Sequence, residues 1–308
     1  MKDAFDLLRK CELCPRQCRV NRLAGQKGYC GVGGEVTIAH YGPHHGEEPP
    51  VSGASGSGTV FFSSCNLRCV FCQNWQISHR GDGDKMTVEQ LAEVFMDLEA
   101  RGCHNVNLVS PVPYIAHIAI ALREAKRRGL AIPVVYNTNA YESVEALRGL
   151  EGLIDIYLPD FKYGNPRIAE KLSDIPTAKP YPAFAKEAIL EMKRQVGDLV
   201  IENGIAAKGL LMRHLVLPGG LAGSKGIFRW AARNLGTRTH ISLMSQYYPL
   251  HEAYKVPLLR RRIRQEEYDA VADHLMIEGF RNVFIQEIES APVFVPDFEE
   301  TEPFKNSE

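Results

Sequence analysis

The chain has 308 residues, 45% of them hydrophobic, and a formal net charge of −1. That size and composition support one large core, with at most a small companion domain. Near-neutral, interspersed charge leaves no basic footprint for nucleic acid or an anionic membrane. No apolar run approaches the ~20 residues of a membrane span, and the charged start MKDAFDLLRK does not read as a secretory signal. The expectation is a cytoplasmic protein without a nucleic-acid or membrane partner.

The first 50 residues stand apart. They hold Cys11, Cys14, Cys18 and Cys30, half of the eight cysteines, among glycine-, proline- and serine-rich stretches. Such a segment buries little apolar surface and needs a staple to be ordered. Tight C-x-x-C spacing in a chain of this size reads as metal ligation in preference to disulfides. Four thiolates within twenty positions would close a structural zinc site or hold a complete iron–sulfur cluster, with His40, His44 and His45 as alternative ligands. Residues 1–50 are therefore read as a metal-binding segment, 51–290 as the main domain and 291–308 as a tail.

From residue 59 a new rhythm begins. TVFFSS is a short apolar strand. The run from Met86 to Gly102 has helical spacing, with Thr87 as N-cap and Gln90 at the capping-box position. NVNLVS, PVVYNTN, IDIYLPDF, GLLMRHLVLPG, HISLMSQYY and NVFIQEI follow as strands, each separated from the next by a helical stretch. Near-continuous apolar strands are those covered on both faces. Strict alternation with helices implies parallel pairing. Six or seven units are too few for a closed eight-unit barrel, so the fold class is α/β: an open, partial (β/α)6-type parallel barrel. Working residues in such folds gather at the carboxyl ends of the strands, which here read SSC, SPVP, NTNA, PDFK, LPGG and SQYY.

The first of these ends carries Cys65, Cys69 and Cys72. Three thiolates suit an iron–sulfur cluster with one iron left open, since the usual complement is four; zinc would need a distant fourth ligand. Cys103, alone before the next strand, reads as a small buried residue.

The spacing Cys65-x-x-x-Cys69-x-x-Cys72, after a strand and with Phe71 beside the last cysteine, resembles the radical S-adenosylmethionine (SAM) superfamily. FFSSCNLRCVFCQN together with NTNA, PDFKYG and RHLVLPG resembles pyruvate formate-lyase activating enzymes and their uncharacterised relatives, over roughly residues 58–250. The N-terminal cysteine segment resembles that uncharacterised branch. The resemblance implies a [4Fe–4S] cluster on the three cysteines, SAM chelating the open iron, and a 5′-deoxyadenosyl radical that abstracts hydrogen. It also implies a reduced electron donor such as flavodoxin or ferredoxin, and a protein substrate as one option.

Position by position, the resemblance puts the backbone of Phe71 against the adenine end of SAM. Ser110 stands where the family's Gly-Gly-Glu meets the SAM amino group. Against the family's Asp-Thr-Asn-Gly, Asn137 stands in place of the Asp and Asn139 matches the Asn, and Asp160 and Lys162 match its Asp-x-Lys; the resemblance implies that these ends contact SAM and a nearby monovalent cation. Arg213 and His214 are candidates for the SAM carboxylate or the substrate, and Gln246, with Tyr247, Tyr248 and His251, for the sixth strand end. Asp160 and Lys162, two apart on a strand, also share a face as an ordinary ion pair would. Two reactions compete: glycyl-radical activation of a partner enzyme, and attack on a small molecule or a different protein side chain. A non-enzymatic metal-binding module leaves the strand–helix scaffold without a purpose.

Overall fold

The computed structural model describes residues 6–288 and 295–304. Among the described residues, ten strands form one sheet: β1 (Val36–His44), β2 (Ser57–Phe62), β3 (Asp84–Met86), β4 (Val106–Val109), β5 (Val134–Thr138), β6 (Ile156–Pro159), β7 (Val200–Glu202), β8 (Ile205–Leu215), β9 (His240–Met244) and β10 (Val283–Ile285). Their order is β10-β9-β8-β6-β5-β4-β2-β1-β3, with β7 attached to β8. Every pair from β2 to β10 along this path is parallel. β1 runs antiparallel to β2 and to β3. The two ends of the path do not pair, so the barrel is unclosed, as the sequence suggests.

The parallel strands are apolar because both faces are covered. All six residues of β2 and all four of β6 are buried. The register aligns Val60, Leu108, Tyr136, Tyr157 and Leu210 across five strands, and these five share the main core with helical Leu91 and Leu122. The opposite face carries a smaller cluster of Val135, Ile156, Leu158 and Leu211 around Val51. Side chains alternate between faces along each strand, so this parity decides which residues face the helices and which the barrel interior.

The helices follow their sequence signals. Val88–Ala100 starts at Thr87 with both hydrogen bonds of a capping box to Gln90. Ile115–Arg128 buries one apolar face and stops at Gly129, whose φ of 108° supplies the left-handed C-cap.

The ends of the chain hold a difference from the sequence reading. The stretch before residue 51 is not separate from the sheet: Val36–His44 is β1, in register with β2. Its histidines and glycine hide a strand whose order comes from pairing, not from its own apolar pattern. Upstream, Arg16 donates to the Asn66 carbonyl at 2.6 Å and Lys179 to the Arg16 carbonyl at 2.9 Å, which clamps the cysteine segment onto the barrel rim. In the tail, Gln76 donates to Asp297 at 2.8 Å, and the rings of Phe298 and Phe304 lie 5.3 and 5.2 Å from Phe61. No described helix is long and apolar enough to cross a membrane.

Candidate active site

A cavity of about 380 Å³ opens at the carboxyl ends of the parallel strands. Such a volume suits a cofactor-sized ligand. Cys65, Cys69, Cys72 and Phe71 line it after β2, Ser110 after β4, Asn137 and Asn139 at the end of β5, Asp160 and Lys162 after β6, Arg213 on β8 and Gln246 after β9. Of the residues set against the three-cysteine cluster, SAM or the sixth strand end, all but His214 and His251 line this one cavity.

His214 lies outside it. It is fully buried, with Nδ1 2.7 Å from the Phe161 carbonyl and Nε2 2.8 Å from Ser224 Oγ. It shares strand parity with Leu210 and Met212 of the main core. It therefore points away from the cavity and is a satisfied core histidine. Burial holds its imidazole down at about 4, neutral under ordinary conditions. Tyr247 lines the cavity but packs edge-on to Phe71 and donates to the Leu259 carbonyl. His251 stacks on Trp75. Cys103 is buried, as its sequence suggests.

Each of the three thiols has a hydrogen-bonding neighbour from elsewhere in the chain. Asn139 Nδ2 donates to Cys65 Sγ at 3.4 Å. Ser173 Oγ donates to Cys69 Sγ at 3.0 Å, and its other partner is the Tyr163 hydroxyl at 2.6 Å. Cys72 Sγ lies 3.1 Å from Ser78 Oγ. Burial pushes the Cys65 thiol up to about 12 and the Cys72 thiol to about 11, and raises Cys69. Such thiols stay protonated until a metal displaces the proton. Among the described residues, no three His, Cys, Asp or Glu side chains are grouped for a single metal ion.

The charges at the mouth are paired. Lys162 Nζ lies 2.6 Å from Asp160 Oδ2. Burial works against the Lys162 ammonium, but the Asp160 carboxylate and the Cys69 sulfur outweigh it and raise Lys162 above its ordinary value. Across the cavity, Arg213 donates to Glu48 at 2.8 and 2.6 Å and also to Glu47. Burial alone would raise Glu48, but the Arg213 guanidinium holds it below the usual carboxylate range. Glu47 and Glu48 follow the unforeseen strand β1, which is why sequence reasoning missed them.

Backbone strain marks the same rim. Ser64, Ser110 and Ala140 follow β2, β4 and β5 with φ of 68°, 60° and 60°. Positive φ in non-glycine residues concentrates at functional sites. The rim is partly covered: Phe304 and Pro296 from the tail line the cavity, and the His44 ring sits 4.3 Å from that of Phe304.

Comparison with known proteins agrees with this architecture. A model described as the radical SAM superfamily matches residues 59–206. The chain is 30% identical over 278 residues to the uncharacterised protein MJ0674 of Methanocaldococcus jannaschii, covering 86% of this chain and 74% of that one. It is 25% identical over 158 residues to MJ0808 of the same organism, covering 46% of each. In structure it is similar to Streptococcus suis SuiB bound to the precursor peptide SuiA, with a TM-score of 0.51, 12% identity, and coverage of 76% of this chain and 49% of that one; that likeness concerns the fold.

Proposed function

Because the chain belongs to the radical SAM superfamily, whose members use a [4Fe–4S] cluster and SAM, we propose that Cys65, Cys69 and Cys72 hold that cluster and that this protein cleaves SAM reductively. The observation that carries the reading is the set of three half-buried, hydrogen-bonded thiols in the strand-end cavity, with no fourth cysteine among its described lining residues. Held by Cys65, Cys69 and Cys72, the cluster would supply the electron for reductive carbon–sulfur cleavage of SAM, giving methionine and a 5′-deoxyadenosyl radical able to take a hydrogen atom from a substrate.

This chain's residues do the rest by binding and orientation. Asp160 and Lys162 offer opposite charges to the zwitterionic methionine end of SAM. Ser110, Asn137 and Asn139 add hydrogen-bonding groups on the same rim, and the backbone at Phe71 meets the adenine end. Gln246 is held by Gln286 Nε2 at 3.1 Å and faces the same space. Phe61 and Phe304 keep water from the reacting atoms. Arg213, already engaged by two carboxylates, acts by holding Glu47 and Glu48 in place at the mouth.

Of the two substrate classes, the compact cavity with the tail across its rim favours a small molecule or a single inserted side chain. Glycyl-radical activation of a partner requires an extended backbone to reach the same atoms. Deuterium transfer separates these classes. Extract from cells grown in deuterated medium would be split into small-molecule and protein fractions, and each supplied with unlabelled SAM and the reduced enzyme. Deuterium in deoxyadenosine from the small-molecule fraction supports a small donor; label from the protein fraction alone supports a protein donor, and deuterium placed selectively on glycine then supports the activase over an inserted side chain. For the site itself, adding SAM to the reduced protein should alter its electron paramagnetic resonance signal. A spectrum indifferent to SAM would refute the assignment.

A further inference from the structure

The four N-terminal cysteines take no part in the reaction above, yet they are not dispersed. Cys11, Cys14, Cys18 and Cys30 line one small cavity with Arg22, Gly28 and Asn66. None of the three sequence-proposed histidines lines it, and His44 faces the barrel mouth instead. The donor set is therefore all sulfur, which restricts a metal to zinc or an iron–sulfur cluster.

We infer that these four cysteines hold a second, fully ligated [4Fe–4S] cluster packed against the three-cysteine loop. Arg22 is 1% exposed and lines this cavity. Its Nε donates to the Gly33 carbonyl at 2.8 Å and its Nη1 to the Pro113 carbonyl at 2.6 Å, while Nη2 has no partner. A buried, unpaired donor on a cation is costly, and a four-thiolate centre supplies the missing negative charge. Gly28 is a second sign: a Cβ there would meet Cys18 Cβ and Sγ at 2.9 Å, and the next residue, Tyr29, donates its backbone N–H to the same sulfur at 3.4 Å. The chain is cut to leave room around that thiol. The four sulfurs line one cavity, and among the described residues no three metal-ligating side chains are grouped for a single ion; a four-iron cluster takes one thiolate per iron. Asn66 ties the two sites together. It lines this cavity and follows Cys65, and its Oδ1 accepts from the same Asn139 Nδ2 that reaches Cys65 Sγ.

The test is metal analysis with Mössbauer spectroscopy on the anaerobically purified full chain and on a Cys65→Ala, Cys69→Ala, Cys72→Ala variant. Two clusters give about eight iron atoms per chain in the wild type, and about four in the variant. Gly28→Val, which keeps every ligand, is expected to lose the N-terminal iron while retaining the rest. If wild type and triple variant both hold about four, the N-terminal cluster stands and the three-cysteine loop is the reading that fails. One zinc per chain that survives in the triple variant, or a triple variant with no metal, overturns the inference.

Discussion

Replacing Glu142 with glutamine is expected to remove a pH-dependent weakness beneath the site. Glu142 is 1% exposed and accepts hydrogen bonds from Thr138 Oγ1 and, at 3.3 Å, from the Tyr136 hydroxyl. Burial drives its carboxyl up from 4.5 to about 7, only partly offset by those two bonds. The folded chain therefore keeps a proton that the unfolded chain has already released, so stability is greatest at low pH and falls as pH rises from 4.5 to about 7. The difference corresponds to about 3 kcal/mol, complete above the folded value. Glutamine cannot ionise, so its own packing cost is the same at every pH. Urea denaturation of matched wild-type and Glu142→Gln preparations at pH 5 and pH 8 reads this directly. The wild type should lose most of about 3 kcal/mol relative to the variant between the two pH values. A wild-type-minus-variant difference that does not change with pH would refute the reasoning and place the carboxyl in contact with water.

Two further outcomes follow from the same geometry. Ser173→Ala removes the hydroxyl hydrogen bond to Cys69 and should lower the reduction potential of the cluster by roughly 40 mV, the one-electron equivalent of about 1 kcal/mol; a redox titration that finds no change would show that this bond does not reach the cluster. Arg213→Met leaves the Glu47 and Glu48 carboxylates at the barrel mouth without their cation and should destabilise the protein by about 3 kcal/mol at neutral pH. The loss should shrink as pH falls and the carboxylates take up protons, and thermal melts at pH 7 and pH 5 would measure it.

The cysteine loop, the strand ends and the strand–helix alternation were legible because each is local in sequence. Thr87 and Gln90 announce their helix within four residues. Arg213 and His214 show where a motif alone fails: they are adjacent, yet alternation sends one into the cavity and the other into the core. Counting parity from Leu210 or Leu211 would have separated them. The partners of the thiols were not legible. Asn139 was marked by its strand-end motif, but its pairing with Cys65, 74 positions away, was not; Ser173, 104 positions from Cys69, carries no local signal. β1 was hidden because its order depends on pairing with β2, and with it went Glu47 and Glu48. The tail's place on the barrel rim rests on Phe298 and Phe304, whose partner Phe61 lies far away in sequence.

The central claim is that the three cysteines at the end of β2 carry the cluster at which SAM is cleaved. It is tested most directly by incubating the anaerobically reconstituted protein with SAM and dithionite and quantifying 5′-deoxyadenosine by chromatography. Wild type should form it, and Cys69→Ala should form none above the reagent blank. Retained cleavage in Cys69→Ala would contradict the account.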